Sequence, residues 1–335
     1  MWGSTCREHR FCQKPNQNII GLLFTSKSRS WISTNASVLS SKRSVVATIK
    51  QFIIHMKNIT LLFSFAMFAL LAFTRCTSET VTEQSSDAMA KFTSDAAFTK
   101  AHEAPQAIDY QAKGQIVEVR TKDGGMTKLY VVKPAEWTNK FLFVIHEWWG
   151  LNDQIKQETD RLADSLGNVT VVALDLYDGQ VTANPEEAGK IMGSVKPERS
   201  QAIVNAALAY AGKDGKISTI GWCFGGGWSL RTSIMAAERG AGCVMYYGMP
   251  VEKAEELAPL QVDVLGIFAE QDKWINREVI GKFEALAKAT GKKVENHWFD
   301  ADHAFANPTS PRFKEEAAQK ANALALAFIR GKLKD

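Results

Sequence analysis

The stretch Gly221-Trp222-Cys223-Phe224-Gly225-Gly226-Gly227 constrains the fold of this 335-residue chain more than any other. A β-branched run over 216–220 leads into it, and a helix-like run over 228–238 follows. Strand, glycine-flanked side chain and helix, in that order, predict a sharp strand-to-helix turn. Such a turn holds its central residue in strained dihedrals, and close backbone packing asks for Gly on both sides. Cys223, at the apex, is lifted clear of the sheet and set at a helix N-terminus, where the dipole favours an anionic sulfur. A buried packing cysteine in a glycine-rich turn would read the same in isolation. The rest of the chain has to decide.

Apolar runs alternate with helical spacing through most of that remainder. Residues 115–120 and 127–132 alternate apolar and polar around Lys122-Asp123-Gly124-Gly125, which predicts a hairpin. The continuous apolar runs 140–145 and 169–176 predict strands buried on both faces. Helical patterns cover 152–166, 185–192 and 197–211 before the turn, and 277–290 and 312–332 after it. Further strands are expected over 242–247, 262–269 and 293–299. Strands alternating with helices mean βαβ units, hence an α/β class with a mostly parallel central sheet and helices on both faces.

The first hundred residues differ. Residues 1–55 are rich in Ser, Arg and Lys, with Glu8 as their one acid. Met56-Lys57-Asn58, an apolar run over 59–73 and a polar exit read as a secretory signal peptide over 56–78. Met56 is then the expected initiator, with 1–55 an over-long extension. Export to a periplasm or the exterior follows, with organelle targeting or a cytoplasmic location as alternatives and a lipid anchor at Cys76 as a weaker one. Residues 79–107 are Ser-, Thr-, Ala- and Glu-rich and are expected to be a flexible linker. The folded domain is expected over 108–335. The formal net charge of +4 sits mostly in the leader, so it argues against a nucleic-acid surface. Five cysteines without a CxxC pair indicate neither a zinc site nor a disulfide scaffold.

In a sheet of this kind sites form beyond the carboxyl ends of the strands. Glu147 follows the 140–145 strand in His146-Glu147-Trp148-Trp149, Asp272 follows 262–269, and His303 follows 293–299. Each alone has a bland reading: a turn acid, a structural histidine, a pocket wall. Asp302 is a rival acid beside His303. His146 is expected to be structural and Cys243 to be buried packing. Together, Cys223, Asp272 and His303 follow the nucleophile–acid–histidine chain order of α/β-hydrolases. In that scheme His303 moves the thiol proton and Asp272 holds its tautomer. The backbone N–H groups of Phe224 and Trp148 would form the oxyanion hole.

With these residues in view, the chain over about 110–335 resembles the dienelactone hydrolase family. The resemblance rests on His146-Glu147 before Trp148-Trp149-Gly150, on Asp175-Leu176-Tyr177, on the elbow with Cys in place of Ser, on Gln271-Asp272 and on His303-Ala304-Phe305. It implies an α/β-hydrolase fold, a Cys223–His303–Asp272 triad, and a thioester acyl-enzyme. Glu147 would pair with the resting thiol. No metal or organic cofactor is implied. Relatives that open dienelactones grip the substrate carboxylate with arginines. Four residues after the histidine this chain has Asn307, and residues 178–196 contain no Arg. Asparagine does not replace a bidentate fork. A pocket of Trp149, Trp222, Phe305 and Asn307 is expected, taking another small ester or lactone. The protein is expected to be a monomer, free of nucleic acid and, after signal cleavage, of membrane. The competing readings are a non-catalytic binding or stress protein on the same fold, and a thiol redox protein using Cys223 with Cys243.

Overall fold

The computed structural model describes residues 89–93 and 95–334. The expected extension (1–55), the expected signal peptide (56–78), Cys76 and the start of the expected linker lie outside the described residues. Eight strands form one sheet in the order β1-β2-β4-β3-β5-β6-β7-β8. They are β1 (Gln115–Arg120), β2 (Met126–Val132), β3 (Lys140–Ile145), β4 (Thr170–Leu174), β5 (Lys216–Trp222), β6 (Gly240–Tyr246), β7 (Val264–Ala269) and β8 (Val294–Phe299). The expected hairpin is β1–β2, antiparallel, with Gln115 opposite Val131. β2 runs antiparallel to β4, and every pairing from β4 through β8 is parallel. β3 and β4 are buried along nearly their whole length, as continuous apolar runs require.

The helices are α1 (Ala96–Ala101), α2 (Asp153–Leu166), α3 (Pro185–Ser194), α4 (Pro197–Tyr210), α5 (Phe224–Ala236), the single turn α6 (Ala254–Leu257), α7 (Arg277–Ala289) and α8 (Glu315–Lys332). Asn152, Asn184 and Asn276 cap α2, α3 and α7, each accepting a first-turn amide on its side chain. α5 starts at Phe224, four residues earlier than the helical spacing suggests. Three successive glycines hide the periodicity there, although the turn places them in the helix.

The expected flexible linker needs correcting. Within 79–107, Ala96–Ala101 is a helix whose N-cap Asp95 accepts from the Ala97 amide. Met89, Phe98 and His102 are buried in the main core. Phe98 and His102 stand one turn apart, so both fall on the same helical face. Two ring side chains spaced this way among small polar residues are a weak signal, which composition alone overrides.

The direction in which successive strands are added reverses between the parallel neighbours β3 and β5. β4 and β2 lie on one side of that pair, and β6 to β8 on the other. Such a switch point opens a crevice at the carboxyl ends of its strands. The β3 end carries His146 and Glu147, and the β5 end carries Cys223.

Candidate active site

Cys223 has φ 56° and ψ −119°, the strained turn predicted for it. Its amide donates to the Tyr246 carbonyl at 3.1 Å. A side chain on Gly221 would run into the Gly225 backbone, and one on Gly225 into the Ile145 and His146 carbonyls. These two positions tolerate only hydrogen, because β5, the first turn of α5 and the end of β3 meet backbone to backbone. Cys223 is a free, buried thiol. The Phe224 amide opens α5, where helix geometry leaves it without an intrahelical acceptor. Neither it nor the Trp148 amide donates to a backbone acceptor among the described residues.

Asp272 and His303 meet directly. His303 Nδ1 donates to Asp272 Oδ2 at 2.6 Å. The other Asp272 oxygen accepts the amides of Trp274 and Ile275, both at 2.9 Å. Burial works to raise the Asp272 carboxyl, but His303 and these amides outweigh it and hold it below the usual carboxylate range. Burial likewise works to lower His303, and the Asp272 charge and hydrogen bond reverse that, leaving the imidazole well above its ordinary value. Asp302 takes another part. Its Oδ1 accepts the His303 amide at 2.7 Å and its other oxygen lies 3.4 Å from Arg312. The rival acid therefore caps a turn and pairs with an arginine.

With Nδ1 donating to the carboxylate, His303 presents Nε2 to the crevice. That nitrogen is buried and without a hydrogen-bond partner. Cys223 Sγ lies within 4.8 Å of a ring nitrogen of His303. Nucleophile-capable sulfur, imidazole and carboxylate thus stand in series.

Glu147 is fully buried. Burial pushes its carboxyl up to about 7, against the Asn307 hydrogen bond and the His303 charge, which lower it. Asn307 Nδ2 donates to Glu147 Oε2 at 2.6 Å, while Asn307 Oδ1 accepts from the Thr309 amide and hydroxyl. The pairing of Glu147 with the thiol that the resemblance implies is not formed. Oε1 is buried without a partner. His146, the expected structural histidine, donates from Nδ1 to the Glu147 carbonyl and accepts the Leu176 amide on Nε2.

Of the four expected pocket residues, Trp149 and Asn307 line a cavity of about 20 Å³, together with His102, His303 and Arg312. Trp222 and Phe305 do not line it. Trp222 packs on Tyr246, and Phe305 is buried between Tyr247 and Phe299. Both side chains are buried in the main apolar core. A groove of about 860 Å³ runs between α1 and α3 and is lined by neither Cys223 nor His303.

Sequence reasoning passes over two side chains. Tyr247, at the end of β6, has φ 31° and a fully buried ring 4.9 Å from that of His303. Burial first, then the nearby Glu147, raises its phenol well above the ordinary value. Its hydroxyl approaches Glu147 without reaching hydrogen-bond geometry. Its position at the carboxyl end of the strand beside β5 was the available signal. The other is His102, whose ring centroid lies 4.8 Å from that of His303.

Sheet order, switch-point crevice and elbow define the chain as an α/β-hydrolase fold. The same architecture appears in a dienelactone hydrolase from Anabaena variabilis (16% identity, TM-score 0.50, 67% of this chain and 100% of that one). It appears also in a dienelactone hydrolase-like promiscuous phosphotriesterase from metagenomic libraries (21% identity, TM-score 0.55, 66% and 99%). The family profile described as "Dienelactone hydrolase family" matches residues 127–333. The chain belongs to the dienelactone hydrolase family. Similar proteins include a carboxymethylenebutenolidase of a Pseudomonas species, 29% identical over 64% of this chain and 94% of its own length. Carboxymethylenebutenolidase 1 of Cupriavidus pinatubonensis is 25% identical over 64% and 95%.

Proposed function

We propose that the protein hydrolyses small carboxylic esters or lactones through Cys223, His303 and Asp272. The observation that carries this reading is the unpartnered His303 Nε2, held by Asp272 and facing Cys223 Sγ. His303 takes the thiol proton, and the sulfur attacks the substrate carbonyl. The amides of Phe224 and Trp148 receive the oxyanion. Collapse of the tetrahedral adduct expels the alkoxide, which His303 protonates, and leaves a thioester on Cys223. A water deprotonated by His303 then releases the acid and restores the thiol.

Asn307 is committed to Glu147 on one side and to Thr309 on the other. It has at most one amide N–H left, which is no substitute for a bidentate guanidinium fork, so esters and lactones without a carboxylate fit the site better than dienelactone. Redox exchange is disfavoured by Cys243. It lies in a separate core cluster with Leu230 and Val264, within 3.5 Å of the Ser229 hydroxyl, and burial raises its thiol. A resolving cysteine needs access and thiolate character.

A panel of activated esters, thioesters, neutral lactones and both dienelactone isomers, run against the protein and its Cys223→Ala variant, tests the reading. Expected are turnover lost in the variant and a transient acyl mass on Cys223. Equal rates in both proteins would leave Cys223 as packing and favour a binding protein on this fold.

A further inference from the structure

His102, Cys223 and His303 come from three separate places: the end of α1, the elbow and the loop after β8. Their donor atoms nevertheless all lie within 4.8 Å of one another, and all three side chains are buried. His102 Nδ1 lies 2.7 Å from the Phe98 carbonyl, which can only accept, so the proton sits on Nδ1 and the lone pair on Nε2. That Nε2 is buried without a partner, as is His303 Nε2. Two imidazoles and a thiol therefore converge on one point, and a single thiol beside His303 has one proton to share between two nitrogens. A buried nitrogen left without a partner is costly, and His102 Nε2 in that place calls for a ligand.

The chemistry of the three donors selects that ligand. Two imidazoles and a thiolate are a borderline-soft set, suited to Zn²⁺ and its chemical equivalents. The outer hydrogen bonds are of the kind such a centre requires. A metal-bound histidine normally donates its other N–H to a carboxylate or a backbone carbonyl. Here His303 donates to Asp272, and His102 to Phe98. A tetrahedral zinc ion would hold these donors about 3.3–3.6 Å apart, given Zn–N of about 2.0–2.1 Å and Zn–S of about 2.3 Å. From 4.8 Å at most, the widest edge of the triangle need close by no more than about 1.2–1.5 Å. A cavity of about 20 Å³, roughly the space of one water-sized occupant, touches both histidines but is not lined by Cys223, so the sulfur has to close on it from the side.

We propose that His102, Cys223 and His303 form a binding site for one Zn²⁺ ion or similar soft divalent cation, and that its occupancy switches off the hydrolase. Binding breaks the Cys223 S–H bond, sends the proton to solvent, forms one metal–sulfur bond and accepts both imidazole lone pairs; no oxidation occurs. The ion, the thiolate and the Asp272 carboxylate then sum to zero charge. The fourth position stays open to water. The metal takes the sulfur and the nitrogen that hydrolysis uses, so the gating half of this inference rests on the function proposed above. The binding half stands on geometry alone.

The test uses the untagged full chain. Zn²⁺ affinity is read by chelator competition, and Co²⁺ as a spectroscopic probe reports a thiolate-to-metal charge-transfer band. Expected are one ion per chain, a thiolate band lost in Cys223→Ser, and affinity at least tenfold weaker in His102→Gln. His297→Gln, at the half-buried histidine paired with Glu295 on β8, should match the wild type. No binding, no thiolate band, or equal affinity in the His102 variant would overturn the site, whatever the hydrolytic result. Protection of Cys223 from alkylation by Zn²⁺ gives a second readout if the Gln variant folds poorly. A metal that binds with these signatures without slowing a Cys223-dependent ester hydrolysis would overturn the gating. Absent hydrolysis in the metal-free protein would remove the gating and the proposed function together, and the cobalt spectrum would still report on the site.

Discussion

Asn307 donates to Glu147 across the crevice at 2.6 Å, joining the loop after β8 to the loop after β3. Four residues after His303, Asn307 thus faces a buried acid. Replacing Asn307 with Leu leaves that acid without its donor. An unmatched buried charged group costs about 1–3 kcal/mol or more. The loss should be larger near pH 8, where Glu147 is ionised, than at pH 5, where it carries its proton and mainly the Thr309 bonds are lost. Denaturant unfolding at the two pH values checks this; an equal loss at both would mean that Asn307 acts through packing.

Glu147→Gln should do the reverse. The Glu147 carboxyl is raised from 4.5 to about 7 by burial. The folded state therefore holds this proton over a range where the unfolded chain has lost it. Stability falls as pH rises from about 4.5 to 7 and stays lower above, by up to roughly 3 kcal/mol. Glutamine keeps an acceptor for Asn307 and has no proton to lose. The variant should gain stability over the wild type at pH 8 and converge with it near pH 4. A difference independent of pH would contradict the assignment of that cost to the Glu147 charge.

Asp272→Asn should lower kcat/KM by about 10³–10⁴, the magnitude known for a triad acid that holds its histidine's tautomer. Asp302→Asn should cost less than about tenfold, since Asp302 touches only the His303 amide and Arg312. Steady-state kinetics on the best ester of the panel separates the two. A larger loss at Asp302 would reverse their roles.

The legible parts of this chain are those where one local pattern has one physical reading. The apolar runs of β3 and β4 and the glycines about Cys223 place the sheet and the elbow, since each reflects a backbone constraint within a few residues. Pairing of Asp272 with His303 follows from chain order, as both leave the carboxyl ends of adjacent parallel strands, β7 and β8. Asn307 was legible as a departure from the arginine pattern but not as the partner of Glu147, because no spacing rule joins those positions. His102 was hidden for a different reason. Its neighbours are the small polar residues of a linker, and what orders them is packing of Phe98 against Trp148 and Trp274. Tertiary burial overrides composition in that segment.

That packing bears on access to Cys223. His102 packs edge-on against Trp148 and His303, Phe98 is fully buried, and Asp95 accepts from Trp274 Nε1 at 3.2 Å. His102 is held down to about 3, first by burial and then by the charge of His303, with Arg312 adding to this and Asp272 opposing it. The unfolded or undocked segment has a histidine near 6.5, so docking binds fewer protons than release. Docking is favoured above that value and weakens as pH falls below it. Between pH 7 and pH 5, amide hydrogen exchange over 96–102 should quicken relative to that of β5, beyond the intrinsic pH trend of exchange. His102→Gln should flatten the difference, since the amide does not titrate. Phe98→Ala, which removes a buried ring worth about 3–5 kcal/mol in a core, should release the segment at both pH values and speed alkylation of Cys223. Unchanged exchange over 96–102 in the Phe98 variant would show that this segment is held by contacts other than the aromatic ones.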